Sequence, residues 1–297
     1  MIFFNAFPVT EFTGRDRTFK NYKKNCRGNL KLRHQLIRQL FQTVLIFSTL
    51  VKCTTDSQSV DFAAIFDESG VTGTFVLQEL YSGKMQIYNE KRSTQPYIPA
   101  STFKILNSLI ALESGAISDT NEIIKWDGTV RSIEQWNRDH NLSSAIKVSA
   151  VWFYQELARR IGAEKMQHFV DKSAYGNKNI GGELDSFWLR GDLRISAIEQ
   201  ISFLKKFYQE DLPFSSENFK KVKEILVVER GQDYVLRAKT GWGGQGKSEI
   251  GWYVGYLEKQ DEVYLFALNI DIYKNDEAKA RAGIARKVLQ ARGLLPE

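Results

Sequence analysis

The chain has 297 residues, 43% hydrophobic and 26% charged, a globular balance that excludes a disordered or fibrous protein. Its formal charge of +6 invites a nucleic-acid partner, but the excess is local. Residues 1–52 hold about ten Lys/Arg against two acids, and the rest is near balance at about 31 against 33, which removes the support for nucleic-acid binding.

Residues 1–55 read as a leader. Lys31, Arg33 and Arg38 precede an apolar run from Leu40 to Val51. At about 12 residues the run matches a signal-peptide core and falls short of the roughly 20 needed to span a bilayer. Export to the periplasm is the expectation, with no membrane contact beyond the leader. Lys52 before Cys53 is wrong for a lipoprotein box, so lipid anchoring at Cys53 stays open, as does a buried or interfacial helix for the apolar run. Both cysteines, Cys26 and Cys53, lie in this leader, so residues 56–297 must be stabilised without a disulfide. His140 and His168 stand alone, without metal-ligand spacing, and no metal is expected. A Ser-His-Asp hydrolase has no G-x-S-x-G support either.

Residues 73–80 and 85–90 are strand-like around a turn at 81–84. From 101 to 113 the spacing of Phe103, Leu106, Leu109, Ile110 and Leu112 is helical, with Gly115 as a stop. Residues 116–225 read as mostly helical, including a capping box at Ser196–Glu199. Strands return at about 233–239, 250–258 and 262–271, and a last helix covers about 276–292. Short links between the late strands imply antiparallel pairing. The expected fold is α+β: an antiparallel sheet (about 60–95 and 230–297) flanked by N- and C-terminal helices, with a helical lobe (about 96–229) inserted into one catalytic unit.

Gly241–Ser248 reads G-W-G-G-Q-G-K-S, a literal match to the phosphate-binding loop G-x-x-x-x-G-K-[ST]. That loop requires a helix after it, whose N-terminus faces the phosphate. Ile250–Tyr256 is aromatic and β-branched, a strand rather than a helix, so no nucleotide is expected and Lys247 should be replaceable. The same stretch begins with Lys239-Thr240-Gly241, a K-T-G element.

Three Ser-x-x-Lys matches occur, at Ser101–Lys104, Ser144–Lys147 and Ser202–Lys205, and the pattern alone is weak. Only Ser101 follows a proline, Pro99, into the first turn of an apolar helix, with Lys104 on the same face. A serine hydroxyl needs a base to become a nucleophile, and a lysine serves only when burial holds it neutral. The bland alternative is a capping serine beside a solvated lysine.

Further motifs tip the balance: Ser149-Ala150-Val151 opening a helix, Tyr175-Gly176-Asn177 in a turn, and K-T-G at a strand end. The ordered set S-T-F-K, S-A-V, Y-G-N and K-T-G resembles the class D, oxacillinase-type serine β-lactamases. The likeness runs from about residue 62 to the end and includes Gln135–Asp139, Phe187-Trp188-Leu189 and Trp252–Tyr256.

That resemblance implies a β-lactam substrate and a serine acyl-enzyme. Ser101 would be acylated. Lys104, converted by carbon dioxide or bicarbonate to an N-carbamate, would be general base in acylation and deacylation. Trp188 would hydrogen-bond that carbamate, with Val151, Leu189 and Phe103 keeping it dry. Ser149 would relay a proton to the leaving nitrogen. The backbone N–H groups of Ser101 and Trp242 would form the oxyanion hole. Lys239, Thr240 and Gly241 would hold the substrate carboxylate with Arg281, for which Arg286 is the competing assignment. Trp136 would border the cleft. The resemblance is equally compatible with a monomer or a homodimer. A β-lactam sensor that acylates without turnover is the alternative, as is a cell-wall peptidase; the short apolar run disfavours the sensor, and Trp188 with an apolar lysine pocket disfavours the peptidase.

Overall fold

In the computed structural model, residues 61–244 and 249–297 are described; the expected leader and Lys247 lie outside them. The elements, in chain order, begin with α1 (Phe62–Ser69), β1 (Gly73–Glu79), β2 (Met85–Tyr88) and α2 (Glu90–Ser93). A 3-10 turn (Ala100–Phe103) then runs into α3 (Lys104–Glu113). The lobe continues with α4 (Leu142–Val148), α5 (Val151–Ile161), α6 (Ala163–Ser173), α7 (Phe187–Arg190), α8 (Ala197–Gln209) and α9 (Ser216–Ile225). The chain closes with β3 (Val227–Arg230), β4 (Tyr234–Gly243), β5 (Glu249–Lys259), β6 (Glu262–Ile272) and α10 (Ala280–Ala291).

The six strands form one antiparallel sheet in the order β2-β1-β6-β5-β4-β3. Alternation along β6 explains why it is apolar throughout. Phe266, Leu268 and Ile270 pack with Phe66 of α1 and Ile284 and Val288 of α10, whereas Leu265 and Ala267 face the lobe. Both faces are covered, so the central strands read as continuous hydrophobic runs. On the lobe side, every residue of α3 from Lys104 to Leu112 is buried. This central helix is apolar all round apart from Lys104, Asn107, Ser108 and the exposed Glu113 at its end.

Two expectations need correction. The stretch 116–225 is helical only in part, because residues 114–141 hold just one short 3-10 turn (Glu134–Trp136). Side-chain bonds there, such as Asp127 Oδ1 accepting from Thr129 N–H and Asn137 Oδ1 from Arg131 N–H, satisfy the backbone locally in place of helical bonds. Strand β3 has no counterpart among the sequence expectations. It is an edge strand of four residues with a register shift between Val227 and Glu229, and its pattern is too short to register. The late strands, the Ser196 capping box and the last helix stand where their patterns put them.

The phosphate-loop match is incompatible with this topology. Gly243 pairs with Ile250 across the β4–β5 ladder, so strand, not helix, follows the glycine-rich stretch.

Candidate active site

The turn carrying Ser101 is fixed from three sides. Trp252 Nε1 of β5 donates to the Ile98 carbonyl at 2.9 Å. Thr102 Oγ1 donates to the Pro99 carbonyl at 2.8 Å and accepts from Gln200 Nε2 of α8 at 2.8 Å. Ala100, just before the serine, has φ +49, a left-handed conformation that costs a non-glycine residue about 1 kcal/mol or more. No sequence pattern signals that strain. Gly241 lets β4 come close to the turn: a Cβ on it would stand 3.0 Å from the Pro99 carbonyl, a tight contact that would push the two apart by a few tenths of an ångström.

Lys104 Nζ lies 2.6 Å from Ser101 Oγ and 3.5 Å from Ser149 Oγ. Lys239 Nζ reaches the same Ser149 Oγ from the other side at 2.9 Å, and it also donates to the Thr240 carbonyl at 2.9 Å. Two hydroxyls and two amines thus alternate in one chain of contacts. Lys104 is fully buried, and burial, reinforced by the Lys239 charge, pushes its amine well below the ordinary lysine value. Burial, then the Arg281 charge, holds Lys239 down to about 7. The other two Ser-x-x-Lys matches dissolve. Ser144 is bound to His140 and to its own capping box, and Ser202 Oγ donates to the Ile198 carbonyl.

Ser149 departs from its expected place at the opening of a helix. It caps the end of α4 in the left-handed region, φ +57, and α5 begins only at Val151. The kink between two helices is what turns its hydroxyl toward both lysines. Trp136 supports that kink, since its Nε1 donates to the Val148 carbonyl at 2.9 Å while Trp152 Nε1 donates to the Trp136 carbonyl at 2.8 Å.

Trp242 takes its place through strand geometry. Ala238 N–H donates to the Leu226 carbonyl, so it points toward β3, and Thr240 and Trp242 two and four residues on point the same way. Strand β3 begins at Val227, paired with Arg237, so among the described residues that edge of β4 has no strand beside it beyond Ala238. Arg281 reaches β4 from α10: its Nη1 donates to the Gly241 carbonyl and its guanidinium lies 5.9 Å from the Trp242 ring. Arg286 is instead paired with Glu229, 2.7 Å away.

The Tyr175-Gly176-Asn177 turn is scaffolding. The buried Tyr175 ring packs edge-on against Phe103, and Asn177 spends its side chain on the Asp192 carbonyl and the Arg194 N–H. Gly176, at φ +52, presses against the Arg194 carbonyl. The turn thereby clamps the loop that presents Phe187, Trp188 and Leu189. Trp188 is fully buried, stacked 5.6 Å from Phe103, and among the described residues its indole N–H has no partner. Tyr154 of α5, which carries no motif, places its ring 5.3 Å from Lys104 Nζ and completes the apolar wall.

A family model of the penicillin-binding protein transpeptidase domain matches residues 67–290. Beta-lactamase OXA-48 of Klebsiella pneumoniae is 44% identical over 233 residues, covering 78% of this chain and 88% of that protein. The class D β-lactamase YbXI from Nostoc, a solved structure, is 45% identical, covers 80% of this chain and all of its own, and superposes with a TM-score of 0.78. The chain belongs to the class D β-lactamases. The regulatory protein BlaR1 of Bacillus licheniformis is also similar, 37% identical over 82% of this chain but only 40% of its own length. In this class D β-lactamase the four motifs are therefore one piece of geometry: S-T-F-K and K-T-G face each other across S-A-V, and Y-G-N stands behind.

Proposed function

We propose that the chain hydrolyses β-lactam antibiotics through an acyl-enzyme on Ser101, with a general base carried at Lys104. The observation that carries this reading is the 2.6 Å approach of Lys104 Nζ to Ser101 Oγ inside a fully buried pocket. Ser101 Oγ attacks the lactam carbonyl carbon, and its proton passes to the base at the end of the Lys104 side chain. The C–N bond breaks, and Ser149, between the two lysines, hands a proton to the departing nitrogen. The N–H groups of Ser101 and Trp242 hold the oxyanion. Lys239, Thr240 and Arg281 hold the substrate carboxylate.

Carbon dioxide captured on the Lys104 amine supplies a carboxylate, which is a better base at neutral pH than an amine. The residues fit such a group: the amine is buried and held toward neutrality, and the buried Trp188 indole N–H lacks an acceptor among the described residues. Leu189, Val151 and Phe103 limit water around it. The unit is exported to the periplasm behind its basic, apolar leader.

The likeness to BlaR1 favours one second reading, a sensor that is acylated and stays so. Steady-state turnover of a chromogenic cephalosporin, with and without added bicarbonate, separates the two. Sustained turnover that bicarbonate restores after degassing supports the enzyme. One equivalent of product followed by silence overturns it in favour of the sensor.

A further inference from the structure

A cavity of about 530 Å3 opens beside Lys239 and Thr240, below the carboxylate-holding groups. Its walls are Ile146 and Lys147 at the end of α4, Leu226 and Val228 where β3 begins, and Tyr253 and Ala282 on the α10 side. The cavity exists because β3 stops opposite Arg237: past the Ala238–Leu226 bond no strand covers β4. The lining is aliphatic apart from Tyr253, Lys147, Lys239 and Thr240, and it contains no carboxylate. Val228 stands 55% exposed at its rim and Lys147 is exposed beside it.

A ligand whose carboxylate sits on Lys239 and Thr240 has this opening beside that carboxylate, because both residues also line the cavity. We infer that the cavity is a second substrate compartment, which selects β-lactams with a bulky apolar group beside the carboxylate, ending in an anion that Lys147 meets. This rests on the β-lactamase reading and deepens it. An apolar ring entering such a chamber leaves water on most of its surface, and the volume lies within the range of ligand sites. The Lys147 charge adds selectivity at the mouth.

The test uses three cephalosporins with one acylamino chain, carrying methyl, styryl or carboxystyryl next to the carboxylate-bearing carbon. The wild-type KM is expected to fall about tenfold from methyl to styryl and further for carboxystyryl. Val228→Trp, which fills the rim from an exposed position, erases the styryl advantage. Lys147→Gln erases only the step from styryl to carboxystyryl. Equal KM values for all three in the wild type, or a pattern untouched by Val228→Trp, overturns the compartment. Dissociation constants of the same ligands on Ser101→Gly, by calorimetry, read the same preference if turnover is absent, so failure of the hydrolytic reading stays distinguishable.

Discussion

Ser149 Oγ lies 2.9 Å from Lys239 Nζ, and that contact ties the lobe to the sheet at the point where their chemistry meets. The charge of Lys239 changes near neutrality, because burial and the Arg281 charge hold it down to about 7. It must be cationic to hold a carboxylate. We therefore expect kcat/KM for a stable β-lactam to fall as pH rises above about 7, the free-enzyme profile being the one that reports this group. Lys239→Arg keeps its charge and should displace that alkaline limb upward by at least two pH units. An unmoved limb would assign it elsewhere.

The same burial has a consequence for stability. A lysine whose folded value is depressed makes the folded state disfavour the charged form. Stability from Lys239 should thus rise as pH climbs from about 7 to the unfolded value of 10.5. Urea midpoints of the wild type and of Lys239→Met, compared between pH 6.5 and 9.5, check the sign: the gap should narrow with rising pH.

Lys104 shows the trade between activity and stability. Its amine is buried among Phe103, Tyr154 and Trp188 and pays a desolvation cost. Lys104→Met keeps the volume and removes the polar end. Turnover should drop at least 10³-fold while the melting temperature rises by about 2–6 °C, an expected gain of about 1–2 kcal/mol. Calorimetry with a parallel rate assay decides it, and a lower melting temperature would contradict the burial argument.

Gly176→Ala should be severe. The new Cβ would stand 2.0 Å from the Arg194 carbonyl at a φ of +52, so the backbone must shift. A loss of about 3 kcal/mol or more in denaturant unfolding is expected, with reduced turnover because the clamped loop carries Trp188.

Trp136→Phe removes one hydrogen bond to the Val148 carbonyl and leaves most of the ring packing. About 1 kcal/mol of stability should go, and kcat should fall several-fold because the Ser149 kink loses its brace. A change in KM alone would instead make Trp136 a plain wall of the cleft.

Much of this site was legible because its chemistry is local. Pro99 ahead of Ser101, and Lys104 one helical turn on, single out one Ser-x-x-Lys of three without any tertiary knowledge. The strand after Gly243 likewise exposed the phosphate-loop match as accidental. What stayed hidden depends on distant partners. The free edge at Trp242 follows from where β3 stops, and that is set by Leu226 meeting Ala238 across the sheet. The turn of Ser149 depends on a left-handed residue between two helices, which Ser149 itself gives no reason to expect. Residues 114–141 mislead for another reason: Ile123, Val130 and Ile133 resemble helix-core positions but are exposed.

The bond from Trp252 to the Ile98 carbonyl gives the two walls of the cleft unequal lifetimes. Trp252 lies in β5, hydrogen-bonded on both sides to β4 and β6, so the Ser101 turn is fastened to a part of the molecule that opens only with the whole. The opposite wall, residues 114–141, holds no regular element beyond one short 3-10 turn and exposes Val130 to 79%. Amide exchange should therefore be slowest in β5 and fast across 114–141. A nucleophile held still beside a rim that breathes is the expected pattern, and it would let a rigid reaction centre accept ligands of differing shape.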